Sequence, residues 1–120
     1  MPYDLFFQQV PASHRAFLEH LVPYFRTPSG VCVHGGLDPH VARLEEQPLE
    51  ALLWGTSSFP SSYAGADPIV YGHRDSATVD SQGWPSPTIV GATIGSDTIS
   101  HGVLTAVRLE DGCVFQSARH

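Results

Sequence analysis

With 120 residues, 42% of them apolar and only 15% charged, the chain has the size and composition of one hydrophobic core rather than of two domains or a disordered tail. Its formal charge of −6 sets twelve acidic residues against six basic ones, all Arg, so there is no basic stripe to track a phosphate backbone and a nucleic acid polymer is disfavoured as a partner. No apolar run approaches the roughly 20 residues of a membrane-spanning helix, and the opening MPYDLFFQQVP lacks a signal peptide's basic start and long apolar stretch; the expectation is a cytoplasmic protein with no membrane partner.

In chain order, ASHRAFLEHLVPYF at 12–25 places Phe17, Leu18, Leu21, Val22 and Phe25 three and four apart, the stripe of an amphipathic helix. Ser13 suits its N-cap and Pro23 marks its end. Thr27-Pro28-Ser29-Gly30 reads as a loop, and Val31-Cys32-Val33 as a strand with His34 at its end. Gly35-Gly36-Leu37-Asp38-Pro39 breaks that strand. Pro48 to Trp54 predicts a short helix with Leu49, Leu52 and Leu53 on its apolar face. After a loop over 55–68, Ile69-Val70-Tyr71 predicts a second strand, ending in Gly72-His73.

Residues 74–92, rich in Ser, Pro, Gly and Asp, read as an irregular excursion. Strands are then expected at Thr93-Ile94, over 103–109 and over 114–117, the last two joined through the turn Glu110-Asp111-Gly112. Cys32 and Cys113 each lie in an apolar run and read as buried free thiols, with a disulfide or a thiolate ligand as the alternatives. Trp54 and Trp84 read as core or loop anchors rather than base-stacking platforms.

One pattern occurs twice: a strand, a His at or just past its carboxyl edge, then a turn. VCVHGG does this at His34 and IVYGHRD at His73. Sites in open α/β sheets collect outside the carboxyl ends of strands. Two neutral imidazoles converging there would suit Zn, Mn or Fe, although the same pattern also fits ordinary hydrogen-bonded histidines at strand ends. His14, His20, His40 and His120 carry no such context.

The segments VHGGLDP at 33–39, LLWG at 52–55, YGHRDSATVD at 71–80 and TIGSDTISHGVLTAVRL at 93–109 resemble, in that order, the later motifs of calcineurin-like metallophosphoesterases. The nearest kin by this resemblance are bacterial serine/threonine protein phosphatases and symmetrical dinucleoside-tetraphosphatases. The resemblance implies an α/β fold, the C-terminal half of a four-layer αββα sandwich, with residues 1–120 forming one partial domain. It implies that His34 and His73 coordinate a divalent metal ion and that the substrate is a phosphoester, of a phosphoprotein or a dinucleoside polyphosphate. Arg74 and His101 are the candidate substrate-binding residues, and Asp97 is read as structural.

Two departures qualify the resemblance. Relatives acting on phosphoproteins carry an Arg shortly after the Leu-Trp segment, where this chain reads Gly55-Thr56-Ser57-Ser58. The family's upstream motifs, of the kinds G-D-x-H-G, G-D-x-x-D-R-G and G-N-H-E, are absent, and with them the ligands of a second ion. The expectation is a C-terminal portion of a hydrolase that is catalytically weak or inactive alone and associates through an exposed sheet edge. The alternatives are a non-catalytic binding remnant of the same fold and a mono-metal binding module.

Overall fold

The chain begins with two short helices, α1 (Asp4–Gln9) and α2 (Ala12–Glu19), in a computed structural model that describes residues 3–75 and 77–120. Ser76, within the YGHRDSATVD segment, and Met1-Pro2 lie outside the described residues. The helix expected over 12–25 stops at Glu19, and β1 (Tyr24–Thr27) follows. The reason is local: Pro23 disfavours a helical Val22, and the aromatic and β-branched residues after it suit an extended chain. Helical spacing of the apolar residues masked that preference.

β1 turns through Pro28-Ser29 into β2 (Gly30–Val33), pairing antiparallel with Thr27 opposite Gly30. The Thr27 hydroxyl donates to Gly30 O at 2.9 Å and accepts from the Ser29 N–H at 3.2 Å, closing the turn. The expected second helix is α3 (Leu49–Trp54), which carries the chain across to β3 (Ile69–Tyr71), parallel to β2. Such a crossover is what parallel neighbours require. It buries Ala51 and Leu52 and turns Leu49 outward, so its inward face is narrower than the leucine spacing suggested.

The excursion over 74–92 holds three short strands, β4 (Thr78–Val79), β5 (Pro85–Ser86) and β6 (Thr88–Val90). Then β7 (Thr93–Gly95) pairs parallel with β3 and antiparallel with β6, giving a five-stranded mixed sheet of order β1-β2-β3-β7-β6. A separate ribbon, β8 (Thr105–Val107) with β9 (Val114–Gln116), forms the expected hairpin. Both strands are shorter than the sequence suggested; past β8 the Arg108 N–H still donates to Cys113 O at 2.8 Å, and its guanidinium holds Asp111 in a two-bond ion pair at 2.9 and 2.5 Å that closes the turn.

The architecture is thus mixed α/β, and the core is small. Val31, Leu37, Leu52, Phe59, Ile69 and Tyr71 form it, with Phe59 edge-on to Tyr71 at 4.9 Å. α1 and α2 bury nothing, and Phe17, Leu18, Leu21, Val22 and Phe25 are all exposed. The accessible surface is 8075 Å² for 13.0 kDa, against about 6,300 Å² for a folded monomer of that mass. The radius of gyration is 16.5 Å, against about 13.6 Å for a globule of this length.

Gly35 is fixed by close approach. A Cβ there would lie 2.3 Å from Leu53 O and 2.7 Å from Leu53 C, while the Gly35 N–H donates to Leu52 O at 2.8 Å. Gly72 has only His34 O in reach, at 3.8 Å. Gly35→Ala is therefore expected to destabilise the fold by about 1 to 3 kcal/mol in urea titrations, and Gly72→Ala by about 0.5 kcal/mol or less. Equal losses would show that the turn does not rest on α3 in this way.

Candidate metal centre

β2, β3 and β7 are parallel neighbours, so their carboxyl ends share one rim of the sheet. His34 follows β2, Gly72-His73 follows β3, and Ser96-Asp97 follows β7. The hydrogen-bond ladder runs one step past the strands: the Gly72 N–H donates to His34 O at 2.8 Å, and the Ser96 N–H to Tyr71 O at 2.9 Å. The Ser96 hydroxyl adds a second bond to Tyr71 O at 3.1 Å, a contact that an aliphatic side chain there could not make.

The two histidines, 39 positions apart in sequence, meet with ring centres 5.0 Å apart and planes tilted by 41°. A Zn–N bond of about 2.0 Å puts an imidazole centre roughly 3.2 Å from its ion, so two ligands at ordinary coordination angles have centres about 4.5 to 5.2 Å apart. The observed spacing falls in that window. His73 has φ 63°, uncommon for a residue with a side chain, and the Arg74 N–H donates to Gly72 O at 2.6 Å across it. Strain of this kind persists where neighbours over-determine the backbone. Here Gly72 is tied to His34, and Arg74 to the loop after α3.

Arg74 is half-buried, not a solvated surface residue. Its Nη1 donates to Thr56 O at 3.1 Å and to Phe59 O at 2.5 Å. Gly55, with φ 74°, leaves room for it: a Cβ there would sit 3.1 Å from Nη1 and 2.6 Å from Gly35 O. The guanidinium thus braces the stretch that follows the Leu-Trp segment, and its Nε and Nη2 keep no hydrogen-bond partner among the described residues.

His101 closes the short helical turn Ile99–His101, with Nε2 4.0 Å from Asp75 Oδ1, beside the His73 turn. Asp97 accepts the Ile99 N–H at 3.3 Å, which fits its structural reading, yet it also lines one cavity of about 380 Å³ with His34 and His73. The missed signal was in view: Gly95-Ser96-Asp97 repeats the strand-then-turn pattern of the two histidine segments.

Trp54 overturns its reading as a core anchor. It is 59% exposed at the end of α3, edge-on to His73 with ring centres 5.0 Å apart. Trp84 does anchor its loop, donating from Nε1 to Gln116 Oε1 at 2.8 Å. Cys32 and Cys113 are free thiols and half-buried rather than buried. Burial pushes the Cys32 thiol up, which disfavours a thiolate ligand at neutral pH.

As a metal site the rim is partial. The two imidazoles fit a divalent ion, but no group of three His, Cys, Asp or Glu side chains gathers among the described residues. No described helix is long and apolar enough to cross a membrane. No protein-family model matches the chain, and neither curated proteins nor solved structures give a match.

Arg74→Ala is expected to lower stability by about 1 to 2 kcal/mol, through the two bonds to loop carbonyls. It should also speed hydrogen exchange at the Phe59, Ser62 and Tyr63 amides, which close the turns of that loop. Unchanged exchange there would mean that the guanidinium does not hold the loop.

Proposed function

We propose that this chain is the C-terminal portion of a dinuclear metal-dependent phosphoesterase of the calcineurin-like, serine/threonine-phosphatase type, working in the cytoplasm. Its fold in that reading is half of a four-layer αββα sandwich, and its substrates are phosphoproteins or dinucleoside polyphosphates. The observation that carries the reading is the meeting of His34 and His73, from adjacent parallel strands, at 5.0 Å. Two further features support it: the order of the four sequence motifs, and the surface that the isolated chain leaves uncovered.

When bound, divalent ions in such a site act as Lewis acids and lower the pKa of a coordinated water. The residues here would hold one side of that arrangement. His34 and His73 offer two neutral imidazole ligands, placed by backbone bonds rather than by flexible loops. The free N–H groups of Arg74 would meet phosphate oxygens, and His101 would contact substrate from beside Asp75. The other ligands would come from acidic motifs that this chain lacks, supplied by a segment that docks on an exposed sheet edge. The chain alone is therefore weak or inactive.

The incomplete donor set favours one other reading, in which the same fold binds a single ion or a partner and catalyses nothing. Zn²⁺ titration by calorimetry addresses the shared premise. His34→Ala and His73→Ala should each weaken binding by about tenfold or more, and undiminished affinity in either variant would end both metal readings. Hydrolysis of an aryl phosphate with added Mn²⁺ then separates them. Activity is expected only from a version extended at its N-terminus with the acidic motifs, and none in either form would leave the non-catalytic reading.

A further inference from the structure

We propose that Trp54 is a stacking platform that selects phosphoesters bearing a nucleobase over those of serine or threonine. The inference rests on His34 and His73 marking the phosphate end of the site, and it narrows the substrate class of that site.

The indole is the largest apolar side chain beside the histidine pair, and burial in the fold does not account for its place. It is 59% exposed, and among the described residues its ring contact is the edge-to-face one with His73. That contact leaves much of the ring in water within one residue's width of the imidazoles. A nucleoside phosphate joins its two ends over a short, bent distance, so a phosphate at the histidines puts the base within reach of the indole.

The space beyond Trp54 suits a base better than a second anion. Trp54 walls a recess of about 300 Å³ with Asp38, Glu50 and Thr56. Asp38 Oδ1 accepts the His40 N–H at 2.9 Å, while its other oxygen and the Glu50 carboxylate have no hydrogen-bond partner among the described residues. Carboxylates accept from the exocyclic amino group of adenine or cytosine, and they repel an acidic peptide or a further phosphate. The loop after Trp54 also offers no cation: it reads Gly55-Thr56-Ser57-Ser58, and Nη1 of Arg74 is held by its carbonyls. Arg74 thus has only Nε and Nη2 left for a phosphate, and base–aromatic stacking, worth about tenfold or more in binding, would add to that reduced grip.

The test is the indole N–H signal of Trp54 in two-dimensional NMR of the whole chain, assigned by its loss in Trp54→Phe, with Trp84 as the internal control. Adenosine and adenosine 5′-monophosphate are expected to shift the Trp54 signal and leave that of Trp84, while phosphoserine moves neither. With Zn²⁺ present, the nucleotide should bind about tenfold more tightly than phosphoserine, and Trp54→Ala should abolish that difference. An indole unmoved by adenosine, or moved as far by phosphoserine, overturns the proposal, as does an unchanged preference in Trp54→Ala. The adenosine arm needs neither phosphate nor ion. Its failure is therefore distinct from failure of the metal reading, which shows as His34 and His73 ring signals indifferent to Zn²⁺.

Discussion

Everything at the rim depends on two backbone hydrogen bonds made after the strands have ended, from Gly72 N–H to His34 O and from Ser96 N–H to Tyr71 O. They fasten three turns from three parallel strands to one another. Without them His34, His73 and Asp97 would ride on independent loops, and a ring separation of 5.0 Å would be one conformation among many. Because both bonds are main chain to main chain, with only the Ser96 hydroxyl adding to the second, the His34 and His73 side chains carry no share of the fastening and are free for other chemistry. The unusual φ of His73 belongs to the same constraint: its neighbours on both sides are pinned, so the residue between them absorbs the mismatch.

Much of this rim was legible in the sequence, because the feature that makes it is periodic. A short β-branched run followed by Gly and His appears twice, and parallel strands align such endings whatever lies between them. What could not be read is equally physical. β1 was hidden because Leu21, Val22 and Phe25 satisfy helical spacing, and only Pro23 contradicted it. The short strands of the excursion, β4 and β5, are two residues each and carry too little pattern to register. Trp54 was misplaced because a large aromatic at the end of an apolar helix normally turns inward. Here the inward face ends at Leu52, and the last residue of α3 points past the core.

Under the proposed function the exposed apolar side chains and the partial donor set have one explanation. A surface larger by over a quarter than that of an ordinary monomer is seldom left in water. The helices α1 and α2 are each under nine residues and have no buried residue, so among the described residues they lack the packing that normally sustains such short helices. Both edges of the main sheet, β1 and β6, are antiparallel strands with one side unpaired in that sheet. A docking segment would thus find hydrogen-bonding edges and apolar surface together, and under the proposed function it would bring the carboxylates that two imidazoles lack.

Gly55 and Arg74 are fitted to one another, and under the proposed function that fit governs how firmly the rim would hold a phosphate. With a side chain at 55, the turn after α3 would collide with Gly35 O and with the guanidinium. With glycine there, the cation can fold inward, and the loop carbonyls of Thr56 and Phe59 take one of its nitrogens. The positive charge stays near the rim but part of its hydrogen-bonding capacity goes to structure. A site arranged in this way grips a bare phosphate less firmly than one with a free, forked Arg aimed at the anion. Under the proposed function, discrimination would then come from the part of the ligand beyond the phosphate, where the chain offers an open indole and two carboxylates.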